Sequence, residues 1–434
     1  MSSEWRISEL GKEAFNASRP FSFKTHPQVV FVNTGDVLHG NFLHADISDG
    51  AVLPGQAKKA LKQNDILLTE IRPGNGRYAF VDFPADKYVV STKFMVIESR
   101  GRVIPKFLYH VLTNQSALDE FQRIAESRSG TFPQITFDSI EHFPVPVPPP
   151  SVQDELVKFF DAIDDRITLL RETNTTIEAV AQALFKSWFV DFDPVHDKMQ
   201  GRAPEGMDEA TAALFPDSFE ESELGPVPKG WQVERLGDVC SYLNRGISPK
   251  YLDEGGVLVV NQKCIRDFSV DYSKGRRHDS SQRKIDGRQL EIGDMLVNST
   301  GVGTLGRIAQ VLALDEVTIV DSHVTVVRAG GKISWPFLGQ WMIRQQPTIE
   351  AMGEGSTGQT ELARSKLAML PILVPAADTM KAFDAIVKLL KKRIAVNETS
   401  VSELAKLRDT LLPRLISGQL QMHAPKQSLQ EAVT

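Results

Sequence analysis

The sequence predicts an α+β fold in which two mixed α/β domains stand in tandem repeat, separated by two long helices that form an antiparallel coiled coil with pseudo-twofold symmetry. Three observations predict it. Trp5-Arg6-Ile7-Ser8-Glu9-Leu10-Gly11 returns as Trp231-Gln232-Val233-Glu234-Arg235-Leu236-Gly237, 226 residues on. The mixed segments that follow these openings, ending near residues 144 and 371, are almost equal in length. Each then runs through a proline-rich stop into a heptad-patterned helix. Two copies of one plan suit a partner that is itself twofold, such as duplex DNA.

In the first domain, residues 1–150, short apolar runs at Val29–Val32, Ile66–Leu68 and Tyr88–Val90 read as strands. Apolar spacing of three and four over 105–125 reads as one helix. The run from Phe143 to Pro150 is expected to stop regular structure. Ser151, with Asp154 three residues on, is the expected cap of the first long helix, residues 151–193. An acidic linker containing proline and glycine follows over 194–230, with ten acidic and three basic residues between Asp191 and Gly230. The second domain, 231–377, carries runs at Val257–Val260, Met295–Val297 and Val324–Val327, and a helix from about Trp335 to Met352. Asp378 is the expected cap of the second long helix, 378–418, before a tail over 419–434. Pro413 is expected to disturb the last turn of that helix.

From Leu156 to Trp188 the apolar positions alternate steps of four and three, and the same register recurs from Phe383 to Leu415. If the helices run antiparallel with Leu156 opposite Leu415, Asn174 falls opposite Asn397. A buried amide pair that bonds in only one register would fix that register at some cost in stability. Amphipathic helices lying each on its own domain are the plainer alternative.

Composition bounds the function classes. A 434-residue chain with 41% hydrophobic and 24% charged residues has material for two globular cores. No apolar run reaches the roughly 20 residues of a membrane span and the start lacks a signal-peptide pattern, so no membrane partner and a cytoplasmic location are expected. Cys240 and Cys264 lack ligand-spaced neighbours, so neither a metal site nor a disulfide framework is expected. The net charge of −6 is unevenly spread. Between Asn261 and Leu290 eight Lys or Arg stand against four Asp. Such a segment can neutralise phosphates, although charge alone favours a solvated loop.

Two glycine motifs point to nucleotides and fail on context. Gly301-Val-Gly303-Thr-Leu-Gly306 leads into a strand-like run rather than the helix whose amides would face a pyrophosphate. A glycine-rich hairpin near a large ligand fits better than a nicotinamide site. Gly353-Glu-Gly-Ser-Thr-Gly358-Gln359 has glutamine where a phosphate-binding loop needs lysine. No nucleophile with its base, metal cluster, methyl-transfer motif or helicase motif is present, and the chain reads as a binder without catalytic residues or a cofactor of its own.

The segments Ala183-Leu-Phe-Lys-Ser-Trp-Phe-Val-Asp-Phe-Asp-Pro-Val195 and Leu214 to Trp231, the paired Trp-to-Leu-Gly openings, and Leu411-Leu-Pro-Arg-Leu-Ile-Ser-Gly418 resemble the specificity subunit of type I restriction-modification systems over nearly the whole chain. That resemblance implies a non-catalytic reader with two target-recognition domains, each reading half of a split site in double-stranded DNA. It implies that the long helices set the spacing and dock two methyltransferase subunits, and that restriction subunits join to translocate and cut. S-adenosylmethionine, ATP and magnesium then belong to those partners. A helix pair of roughly 55 Å spans about 16 base pairs.

Loops between the strands supply the candidate DNA contacts: Arg72, Asn75, Arg77, Lys93, Thr131 and Gln134 in the first domain, and Asn261, Gln262, Lys263, Asn298, Ser299, Thr300, Arg307, Ser356 and Thr357 in the second. Phe185, Trp188 and Phe189 are candidates for partner docking. Two other readings remain: a specificity subunit of a modification-only system, and a coiled-coil adaptor that binds no nucleic acid.

Overall fold

The computed structural model describes residues 5–128, 132–301, 303–353 and 361–420. The chain divides into two compact units, one of residues 1–169 with 400–434 and one of residues 170–399. Both long helices contribute to both units.

In the first unit, one four-stranded sheet has the order Ala14–Asn16, Phe94–Ser99, Ile66–Thr69, Tyr78–Phe80, antiparallel throughout. A second has the order Ile47–Asp49, Gln28–Val32, Tyr88–Ser91, Ala57–Ala60, with a parallel central pair. Every residue of Ile66–Thr69 is buried because both faces of its sheet are covered. Successive side chains leave a strand on opposite faces, so Ile66 and Leu68 join the helices while Leu67 joins Val30 and Val90 of the other sheet.

The second unit repeats this plan. Its antiparallel sheet runs Cys240–Arg245, Val324–Ala329, Met295–Asn298, Ile308–Gln310, and Met295 and Val297 face one core while Leu296 faces another. Its other sheet runs Tyr251–Leu252, Arg276–His278, Val257–Val260, Thr318–Val320, antiparallel except for the last pair, Val257–Val260 with Thr318–Val320, which is parallel. Small devices recur too. Asn33 and Asn261 each form a capping box at the end of a central strand. His39-Gly40 and Asp267-Phe268 occupy positive φ at the tips of matching two-residue hairpins, the conformation that type I′ turns need.

Several expectations are corrected. The helix expected over 105–125 is two, Pro105–Thr113 and Gln115–Arg128, because Asn114 turns to extended backbone and its Oδ1 accepts from Ala117 N–H at 3.0 Å. The proline run does not end regular structure: Pro144–Val147 pairs antiparallel with Arg6–Glu9, as Pro371–Val374 pairs with Gln232–Arg235. A two-stranded ribbon leaves an open edge that tolerates residues without N–H donors. The helices span Pro150–Phe189 and Ala377–Ile416, 40 residues each, so Ser151 and Asp378 lie inside the first turn and Pro413 is carried without a break. The acidic linker is folded: Asp193–Met199, Glu209–Ala213 and the hairpin Phe219–Ser222 with Gly225–Pro228 are anchored by Val195, Phe215 and Val227 in the core of the second unit.

The helices pair antiparallel within each unit. In the first, Leu156, Phe160, Ile163 and Ile167 share a core with Leu412, Leu415 and Ile416. Arg408, at a seam position, turns its guanidinium to Asp164 at 2.6 Å. In the second, Asn397 Nδ2 donates to Asn174 Oδ1 at 2.7 Å, and Lys391, 3% exposed, reaches Glu178 at 2.6 Å.

Candidate nucleic-acid interface

In the second unit a basic concavity of about 370 Å³ opens where the central strand Val257–Val260 ends, lined by Tyr251, Asn261, Gln262, Lys263, Lys274, Arg276, Asp321 and His323. Asn261 creates its rim. Its Oδ1 accepts from Lys263 N–H at 2.9 Å and its Nδ2 donates to the Lys274 carbonyl at 3.3 Å, which joins two short turns and leaves Lys263 exposed. Gln262 Nε2 donates to Thr300 Oγ1, and Thr300 Oγ1 lies 2.8 Å from His323 Nδ1, so three polar side chains form a chain along one wall. Asp321 accepts from His323 N–H at 2.9 Å, and burial raises its pKa above the ordinary value. The Arg276 guanidinium lies over the Tyr251 ring, 3.4 Å from its centroid.

The candidates of the second domain therefore divide. Asn261, Gln262, Lys263 and Thr300 come together at this concavity. Asn298 and Ser299 are buried beneath it and are corrected to supporting residues. Asn298 Nδ2 holds the Gln262 carbonyl at 3.3 Å, and Ser299 Oγ lies 2.5 Å from Thr325 Oγ1. Arg307 sits at the base of the glycine hairpin and donates to the Gly303 carbonyl at 2.8 Å. That hairpin joins two antiparallel strands, so no helix N-terminus stands behind it. Ser356 and Thr357 lie outside the described residues, as does Thr131 of the first domain.

In the first unit, Arg72 and Asn75 are exposed on one turn, where Arg72 adopts positive φ. Arg72 N–H donates to the Pro133 carbonyl at 3.1 Å, which places Gln134 next to the same turn. Gln134 Nε2 lies 3.2 Å from Glu70 Oε2, and Glu70 N–H donates to the Lys93 carbonyl, so Arg72, Lys93 and Gln134 form one neighbourhood. Lys93 directly precedes the strand Phe94–Ser99, as His323 precedes Val324–Ala329, and the two are equivalents in the repeat. Arg77 is a strut: its Nη1 donates to the carbonyls of Gly35 and Val37, both at 2.9 Å.

The docking candidates are corrected outright. Phe185, Trp188 and Phe189 are buried in the core of the second unit against Phe337, Phe383, Phe215 and Trp231. An apolar helix end was legible, but the domain that covers it comes later in the chain. Sequence reasoning also passed over Tyr251, Lys274, Arg276 and His323 as site residues. Lys274 and Arg276 stood in the basic run; His323, isolated in sequence, joins the groove only through the fold.

Among the described residues, no group of three or more His, Cys, Asp or Glu is placed to hold a metal, and no helix is long and apolar enough to cross a membrane. Residues 3–179 match the model of the type I restriction modification DNA specificity domain. The chain is 33% identical over 470 aligned positions, 96% of its own length and all of the relative's, to the type I restriction enzyme HindI specificity subunit of Haemophilus influenzae. It is 23% identical to the MjaIX specificity subunit of Methanocaldococcus jannaschii, covering 96% of this chain and 93% of that one. The crystal structure of the type I restriction-modification system S subunit from M. genitalium matches with a TM-score of 0.53 at 14% identity, over 97% of each chain, and supports the fold.

Proposed function

This chain belongs to the family of type I restriction-modification specificity subunits, and from that premise we propose that each of its two repeats reads one half of a bipartite DNA site. The chain is a sequence-specific DNA-recognition subunit and is itself non-catalytic. The single observation that carries the division of labour is the repeated plan of two sheets per unit, which presents different side chains at equivalent places: Thr34 and Lys93 in one copy, Gln262 and His323 in the other. A shared scaffold with divergent loops is what two readers of unlike sequences require. A coiled-coil adaptor without nucleic acid is not favoured.

The 40-residue helices, each about 60 Å long at 1.5 Å per residue, would set the distance between half-sites. The seam amides Asn174 and Asn397 would hold them in register. Two methyltransferase subunits would dock on the outer face of this pair, where Ile386, Leu389 and Val396 expose apolar surface, with Leu389 at 69%. Restriction subunits would join the same assembly. S-adenosylmethionine, ATP and magnesium would serve those partners. Mapping methylated adenines in a genome that carries this chain with its partners tests the proposal: two fixed words separated by a fixed gap support it, and an uninterrupted word overturns it.

A further inference from the structure

Arg276 differs from the two cations nearest to it on its segment, Lys274 and Arg277. Among the described residues, Arg277 is paired with Glu316 at 2.6 Å and Lys274 with Asp271 at 2.8 Å, whereas no carboxylate pairs with Arg276. It is exposed, yet it is held in place. Its strand is fixed between two others, with Arg276 opposite Val259 and His278 opposite both Val257 and Tyr251. His278 is fully buried: its Nδ1 accepts from Lys250 N–H at 3.0 Å and its Nε2 donates to the Arg283 carbonyl at 2.8 Å. On that anchored strand the guanidinium lies over the Tyr251 ring at 3.4 Å. Stacking occupies the face of a guanidinium and leaves its in-plane N–H donors directed outward. A planar fork of donors matches two acceptors side by side, and in the major groove guanine offers N7 and O6 in that arrangement.

A phosphate also offers paired oxygens, so the surroundings must decide. Asp321 lines the same concavity, and a carboxylate there opposes a phosphate while it accepts from an amino group such as cytosine N4. Lys263 and Lys274 stand on the rim, where backbone phosphates would pass. We infer that Arg276, stacked on Tyr251, is the residue by which the second domain selects a guanine in its half-site. The inference rests on the reading of the chain as a DNA-recognition subunit and adds one residue, one base and one position to it.

The test uses the full chain with its methyltransferase partner and a pool of duplexes randomised over the site. Bound duplexes are selected and sequenced for wild type, Arg276→Lys and Tyr251→Leu. Arg276→Lys keeps the charge and removes the fork, and the expected result is a loss of guanine preference of roughly tenfold to a hundredfold at one position of one half-site, with the other half-site unchanged. Tyr251→Leu removes the platform and weakens preference at that same position. Unchanged preference in Arg276→Lys overturns the assignment, and so does a uniform loss across all sequences, which marks a phosphate contact. A wild-type complex that enriches no sequence overturns the DNA-recognition reading and the assignment with it.

Discussion

Glu178 and Lys391 face each other across the helix pair of the second unit, and removing either one should have very unequal effects. Lys391 is 3% exposed and its ammonium donates to Glu178 Oε2 at 2.6 Å. The Glu178 side chain is a quarter exposed and has a second donor, Gln340 Nε2, at 2.9 Å. Glu178→Ala therefore strands a nearly dry ammonium, and breaking a buried pair in this way costs roughly 3–5 kcal/mol, of which the lower end applies because water reaches Glu178. Lys391→Met leaves a carboxylate that keeps one hydrogen bond and some water, so its cost should be about 1 kcal/mol. In a unit of this size each kcal/mol shifts Tm by roughly 2–4 °C, so Glu178→Ala should fall by about 6–12 °C and Lys391→Met by a few degrees. Tryptophan fluorescence of the full chain reports the change, since Trp188, Trp231, Trp335 and Trp341 lie in this unit and only Trp5 does not. Equal losses, or a larger loss for Lys391→Met, would refute the argument from unequal burial.

Other outcomes follow from the same contacts. Asn174→Leu strands the Asn397 amide and should cost about 1–3 kcal/mol in urea unfolding, while Asn174→Leu with Asn397→Leu together should recover most of it; a double variant as unstable as the sum would contradict register control by the pair. Glu398 is raised above its ordinary value, first by burial and against the opposing hydrogen bond from Ser269. A raised carboxylate favours the folded state below its ordinary pKa of 4.5, and that advantage is lost as pH climbs through the folded value, so Glu398→Gln should gain stability relative to wild type between pH 4.5 and pH 7; a pH-independent difference would contradict it. Replacing Lys263 by Ala should weaken DNA binding evenly across sequences and reduce the salt slope by about 1, as measured by titration at several salt concentrations; an unchanged slope would remove it from the phosphate contacts.

The repeat made the scaffold legible, because strands such as Ile66–Thr69 and Met295–Asn298 have to bury both faces and read as apolar runs. The seam amides were legible for a related reason: heptad register is a local count, and an antiparallel pairing then places Asn174 and Asn397 together. What the sequence hid was non-local. The proline run became a strand because residues 6–9, far away in the chain, supplied a partner. Phe185 and Trp188 looked like an exposed apolar face because Phe337 and Phe383, which cover them, follow well over a hundred residues later. Asn298 and Ser299 have the chemistry of base contacts, yet they spend it inside the fold, while Arg276 had been lost within a run of charge.

The central claim is that the two repeats read separate halves of one site. It is tested most directly by replacing residues 231–377 with the corresponding segment of the Haemophilus relative and mapping methylated adenines for both complexes. The account predicts that one half of the site changes while the other half and the gap between them stay as they were. A change in both halves, or in neither, would contradict it.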